Sequence, residues 1–148
     1  MFRNVVLCFV ACALLAGCGG GKKVVPNAIG GSIAGEYGGV YSYHDVKKSD
    51  KCPFTFTVEQ AGTALFGTIR EPRCGWGDAD FLTSSFTGSI TETDGGIEIT
   101  FRKEYDYNHN HVVLYRGVYD ASRQEIAGTW DIEGYTGPFA IRDVFIKP

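Results

Sequence analysis

The residues best able to do chemistry in this chain are three histidines, scattered carboxylates, five cysteines and eight tyrosines. Asn108-His109-Asn110-His111 comes first, because histidines at i and i+2 of a strand point the same way and can share a metal. A third ligand is wanting, since only Asp106 is near and His44 is remote in sequence, so the run reads as a solvated hairpin loop and no metal is expected. The pairs Asp78 with Asp80 and Asp131 with Glu133 read as exposed loop and outward strand positions rather than acid-base dyads. Gly-x-Ser-x-Gly, His-Glu-x-x-His and a phosphate-cradling loop are all missing. With no nucleophile, base and oxyanion set at meaningful spacing, no catalytic residue, no cofactor and no enzyme activity are expected.

The tyrosines carry more information. Tyr37, Tyr41 and Tyr43 share one face of a first strand, and Tyr115 and Tyr119 share one face of a sixth. Which way the second pair looks depends on a single turn. A three-residue loop at Asn108 to Asn110 sets Phe101 opposite Gly117 and turns Tyr115 and Tyr119 inward with Ile97, Ile99 and Phe101. A two-residue loop turns Val112, Leu114 and Arg116 inward instead, and Arg116 then needs a buried partner such as Asp143. Both registers are open at this level. The first gives an interior of rings and hydroxyls suited to a small amphipathic ligand; the same rings also serve to fill a solid core.

The elements that must hold these side chains are short alternating runs. Phe54-Thr55-Phe56-Thr57-Val58-Glu59 and Ile97-Glu98-Ile99-Thr100-Phe101-Arg102 each present one apolar and one polar face. Similar runs at 35–43, 65–70, 85–91, 112–119, 125–132 and 138–146 make eight strands. Turn chemistry at 60–63, 93–96, 120–123 and 133–137 joins them as hairpins, and helix is confined to a turn near Val46 to Lys51. Eight consecutive strands with short turns predict an all-β, eight-stranded antiparallel up-and-down barrel, because closure removes two aggregation-prone edges. Outward Thr, Glu and Arg argue against a membrane-spanning barrel, which needs an apolar outer band. Trp130 alternates with Ile126 and Ile132 and reads as core.

Ahead of the barrel the chain has Arg3, an apolar run from Val5 to Leu15, and then small residues, the layout of a secretory signal. That run is too short for a helix that crosses a bilayer, which takes about 20 residues. Leu15-Ala16-Gly17-Cys18 resembles the lipobox of bacterial lipoprotein precursors. The resemblance implies cleavage before Cys18 and acylation of that cysteine, with two or three acyl chains anchoring the protein durably to a membrane. Gly19, rather than Asp, after the cysteine implies the outer membrane, facing the periplasm, where the cell has two membranes. The domain organisation is thus a signal peptide at 1–17, a lipidated cysteine and flexible tether at 18–34, and the barrel at 35–148.

Loss of the signal takes Cys8 and Cys12 with it and acylation consumes Cys18, leaving Cys52 and Cys74 as a disulfide in an oxidising compartment. Such a bond closes a loop of about 23 residues, worth roughly 3 to 4 kcal/mol in the chain-entropy picture. The formal charge of −3 becomes −4 without Arg3, and no basic run exceeds Lys22-Lys23. No nucleic-acid partner is expected, and the protein reads as a monomer.

The barrel region is similar in texture to the calycins, the lipocalin and avidin families. Gly35-Glu36-Tyr37 stands where lipocalins carry Gly-x-Trp, and Arg142 on the last strand stands where they often place an Arg across that ring. Tyr115-Arg116-Gly117-Val118-Tyr119-Asp120 followed by Gly128-Thr129-Trp130 resembles strands of streptavidin-like barrels. Tyr replaces Trp at 37, and Trp76 and Trp130 are the only tryptophans, so biotin binding is not implied. The shared faces make Tyr37, Tyr41, Tyr43, Tyr115 and Tyr119 candidate ligand contacts, and the resemblance adds Arg142. The alternative is an envelope interaction or inhibitor module, in which Trp76, on a loop braced by Cys74, meets a partner protein.

Overall fold

Alternation of side-chain type along the chain settles the architecture. The computed structural model describes residues 30–43, 51–74 and 80–148, with the side chain of His109 left aside. Eight strands follow in order: β1 (Gly35–Tyr41), β2 (Cys52–Ala61), β3 (Ala64–Pro72), β4 (Phe81–Thr93), β5 (Gly96–Tyr105), β6 (Asn108–Asp120), β7 (Glu125–Ile132) and β8 (Tyr135–Ile141). Each pairs antiparallel with the next, and β8 returns to β1, closing an up-and-down barrel. Among the described residues there is no helix. The turn expected at 46–51, apart from Lys51, lies outside the described residues, as do Cys18 and the signal peptide, His44 and Trp76.

Several hairpins are tighter than the sequence suggests. The connection expected to span 133–137 is the two residues Glu133 and Gly134, with φ of 50° and 88°. Positive φ at both central positions matches the right-handed twist of the flanking strands, which lets β7 and β8 pair up to the turn. The β5–β6 turn is Asp106-Tyr107, followed by a bulge between Glu104 and Tyr105. Beyond the bulge Phe101 pairs with Tyr115, two residues from the register with Gly117. A shift of two preserves the facing of every side chain, so Tyr115 and Tyr119 do turn inward. Leu114 and Arg116 face out, and Arg116 meets Glu98 at 3.3 Å on the surface rather than a buried Asp143.

The middle of the barrel is solid. Phe56 stacks on Phe86 at 4.6 Å between centroids, Phe101 stacks on Tyr115 at 4.4 Å, and Phe139 meets both Phe101 and Tyr115 edge-on. Glycines on the inner face make room for these rings. At Gly39 any side chain would overlap the ring of Phe54, so the first strand can wrap closely only with glycine there.

One end is plugged. After Ile141 the chain leaves the sheet at Asp143, whose φ is 57°, and crosses the barrel end, so the last strand stops short of the expected 146. Ser32 and Lys147 form an antiparallel bridge below, and Ile33 and Val144 are wholly buried in the opening. Residues 30–34, read from sequence as tether, therefore include part of the plug. Gln60 fastens it by accepting from Ile33 N at 2.8 Å.

The other end is braced by the Cys52–Cys74 disulfide, with 5.9 Å between Cα atoms, which joins the start of β2 to the segment after β3. The outer wall carries the ion pairs Arg102–Glu104, Arg116–Glu98 and Arg142–Glu125.

Candidate functional site

The unplugged end opens into a cavity of about 420 Å³, within the roughly 300–1,000 Å³ usual for small-molecule sites. Its wall is the inner face of the strand ends. β1 and the residues after it supply Tyr41 and Tyr43, β3 supplies Glu71, β5 Tyr105, β6 Val113 and Tyr115, and β7 Trp130. Tyr107, Glu133 and Tyr135 stand on the two hairpins at the rim. A shallower depression of about 550 Å³ lies on the outer wall over Thr100, Leu114 and Arg116. It is open to solvent and its arginines are already paired, so the mouth is the better site.

A buried charge pair forms one side of the mouth. Lys103 Nζ donates to Glu71 Oε2 at 2.7 Å and to the Tyr105 hydroxyl at 3.0 Å, and that hydroxyl donates to Glu71 Oε1 at 2.7 Å. Lys103 and Glu71 are 0% and 1% exposed. Each polar atom of the triad has a partner, which is the condition for keeping such charges inside a barrel. The Lys103 ammonium also lies 4.2 Å from the centre of the Tyr105 ring.

On the facing side Tyr41, Tyr43 and Trp130 stand near-perpendicular to one another, with interplanar angles of 70°, 79° and 79°. Trp130 Nε1 donates to Ser42 O at 3.0 Å, which fixes the indole. The Tyr41 hydroxyl bonds to Tyr43.

Burial, and after it the negative charge of Glu71, pushes the Tyr41, Tyr105 and Tyr115 hydroxyls well above the ordinary tyrosine value. Burial also lowers Lys103, more than the attraction of Glu71 raises it. The two effects have opposite signs. The unfolded chain releases tyrosine protons at about pH 10 while the barrel keeps them, so the stability these three groups confer is complete below pH 10 and drains away above it. Lys103 contributes in the other direction, its share rising until the unfolded lysine titrates near pH 10.4. With three groups against one, the barrel is expected to lose stability above about pH 10 and to release tyrosinate absorbance in one cooperative step with loss of far-ultraviolet dichroism. A smooth tyrosinate titration with the fold intact would contradict this.

The candidate residues do not all meet. Tyr41, Tyr43 and Tyr115 line the cavity, whereas Tyr37 and Tyr119 sit at the plugged end. There the Tyr37 hydroxyl donates to Ile33 O at 2.9 Å and the Tyr119 hydroxyl to Val144 O at 3.0 Å, so both tyrosines hold the plug. Arg142 is also away from the cavity. Because Phe139 and Ile141 point inward, the next residue points out, and Arg142 pairs with Glu125 at 3.4 Å instead of crossing Tyr37. Trp130 proves to be both core and cavity wall. His111 lies at the rim, 3.4 Å from the Tyr107 hydroxyl, and among the described residues no group of three potential metal ligands occurs.

Sequence reasoning missed Glu71, Lys103 and Tyr105. A signal existed: Ile97, Ile99, Phe101, Lys103 and Tyr105 share one parity, as do Leu65, Ile69 and Glu71. Ending those strands at Arg102 and Arg70 left the charged members out.

Fold and cavity together define a class: a closed antiparallel β-barrel plugged at one end and hollow at the other. Comparison takes the identification no further, since no family model, no curated protein and no solved structure matches the chain.

Proposed function

We propose that this chain is an envelope lipoprotein, calycin-like in form, whose barrel takes a small, largely apolar or amphipathic molecule into its open mouth. The observation that carries the reading is the cavity itself, walled by the rings of Tyr41, Tyr43, Tyr105, Tyr115 and Trp130. The lipobox resemblance supports the anchor, and the position of the plug gives it a geometry. The chain enters the barrel at Ser32, on the plugged end. Ser32 follows Cys18 by only fourteen residues. A lipid on Cys18 then holds the plugged end toward the membrane and turns the mouth to the aqueous side.

A neutral environment-sensitive dye, Nile red, tests the cavity. Its emission is expected to rise on mixing with the mature chain and to fall at least about tenfold in affinity when Val113→Trp fills the mouth, a change of about 1.4 kcal/mol. Equal dye binding by both proteins would sink the proposal. Incorporation of a palmitate analogue that disappears in Cys18→Ser tests the anchor separately.

A second reading, an interaction or inhibitor module, draws on the rim and outer edge of the mouth, where Phe81, Tyr107 and Tyr135 are 46%, 58% and 67% exposed. Such rings are common interface anchors. A partner that binds Val113→Trp as well as the native chain would favour this reading.

A further inference from the structure

We infer that the mouth selects a small organic cation, an alkylammonium group held among the rings of Tyr41, Tyr43 and Trp130. This rests on the pocket reading above and adds the charge of the ligand.

The first argument is the polarity of what the cavity offers. The buried cation, Lys103, is wholly covered and spends its ammonium on Glu71 and the Tyr105 hydroxyl. Trp130 Nε1 is spent on Ser42 O, and the Tyr105 hydroxyl on Glu71. An anionic ligand would have to displace one of these bonds to find a donor on them. Leaving a buried acceptor unpaired is costly, and more so for a charged one.

The second argument is geometric. Three rings mutually near-perpendicular form a corner, and the negative quadrupole over each face attracts a cation placed there. Glu133 adds a carboxylate at the rim, and Glu71, paired with Lys103, also lines the cavity. A neutral apolar molecule would gain from the same rings only their apolar contact. The ammonium group gains that contact and the electrostatic attraction as well.

The test is calorimetry on the mature chain carrying Cys18→Ser, using choline, its uncharged carbon isostere dimethylbutanol, and pivalate. Choline is expected to bind about ten- to thirtyfold more tightly than dimethylbutanol, the range that a partly desolvated cation–π contact supplies, and pivalate more weakly than either. Tyr43→Leu keeps an apolar wall but removes a π face, so it should erase most of the preference while leaving Nile red bound; Tyr43→Phe should retain it. Phosphatidylcholine vesicles distinguish the source. Choline-competable sedimentation with them points to a lipid headgroup, its absence points to a dissolved ligand, and both uphold ammonium recognition if choline itself binds preferentially. Dimethylbutanol or pivalate binding as tightly as choline, with Nile red still bound, overturns the cation while the pocket stands. Loss of Nile red binding as well overturns the pocket.

Discussion

Lys103→Met is expected to destabilise the barrel by about 3–5 kcal/mol, the usual cost of removing one partner from a buried ion pair. The reason is not the loss of attraction alone. Glu71 stays behind, 1% exposed, with one carboxylate oxygen stripped of its ammonium donor and only Tyr105 still donating to the other. Water cannot reach it without opening the space between the ends of β3 and β5, the two strands that flank β4. Adding Glu71→Gln removes the stranded charge while keeping an acceptor for Tyr105, so the double variant should recover half or more of the loss. That recovery is the non-additivity expected of groups in contact. Urea denaturation reads both effects as shifts in midpoint at constant m. A single-variant cost below about 1 kcal/mol would mean that the pair is hydrated in solution rather than buried.

Phe101→Ala is expected to cost a similar amount, about 3–5 kcal/mol, through cavity formation in the core. Phe101 touches Phe56, Phe86, Tyr115 and Phe139, so four rings lose a neighbour at once. Its ring does not line the mouth but stacks behind Tyr115, which does. Removing it should deepen the cavity toward the plug, so that a longer apolar ligand than the native barrel accepts recovers part of the lost stability by binding. Thermal unfolding with and without a homologous series of alkyltrimethylammonium ions measures this. If the optimum chain length does not increase in Phe101→Ala, the space left by the ring is not continuous with the mouth.

The two substitutions probe the two halves of what sequence could and could not show. Alternation made the strands legible, because a half-buried strand must alternate whatever its partners are. Phe54, Phe56 and Val58 face inward as read, and so do Ile97, Ile99 and Phe101. The facing of Tyr115 and Tyr119 survived even a wrong register, since a shift of two leaves parity unchanged. Arg142 failed for the complementary reason: its parity with Ile141 already set it outside, and the analogy with a lipocalin arginine overrode that local rule.

Strand ends were the weak point, and the candidate site is made of strand ends. Glu71 and Lys103 look from sequence like polar residues where a strand gives way to a loop. They are buried because each finds the other, 32 residues away, across the closed sheet. Local pattern holds no information about that encounter, since a charge is affordable inside only where its counter-charge arrives.

The same distinction separates the tyrosines. By itself the sequence determined an all-β chain of eight alternating strands, the two cysteines left to pair, and rings that share faces. Tertiary structure alone decided that Tyr37 and Tyr119 hold a plug while Tyr41, Tyr43 and Tyr115 line a mouth. Periodicity fixes which side of a strand a residue occupies. How far along the barrel axis it sits, and whether that level is filled or hollow, depends on where the segments flanking the eight strands come to rest, and here they meet at one opening, at Ser32 and Lys147.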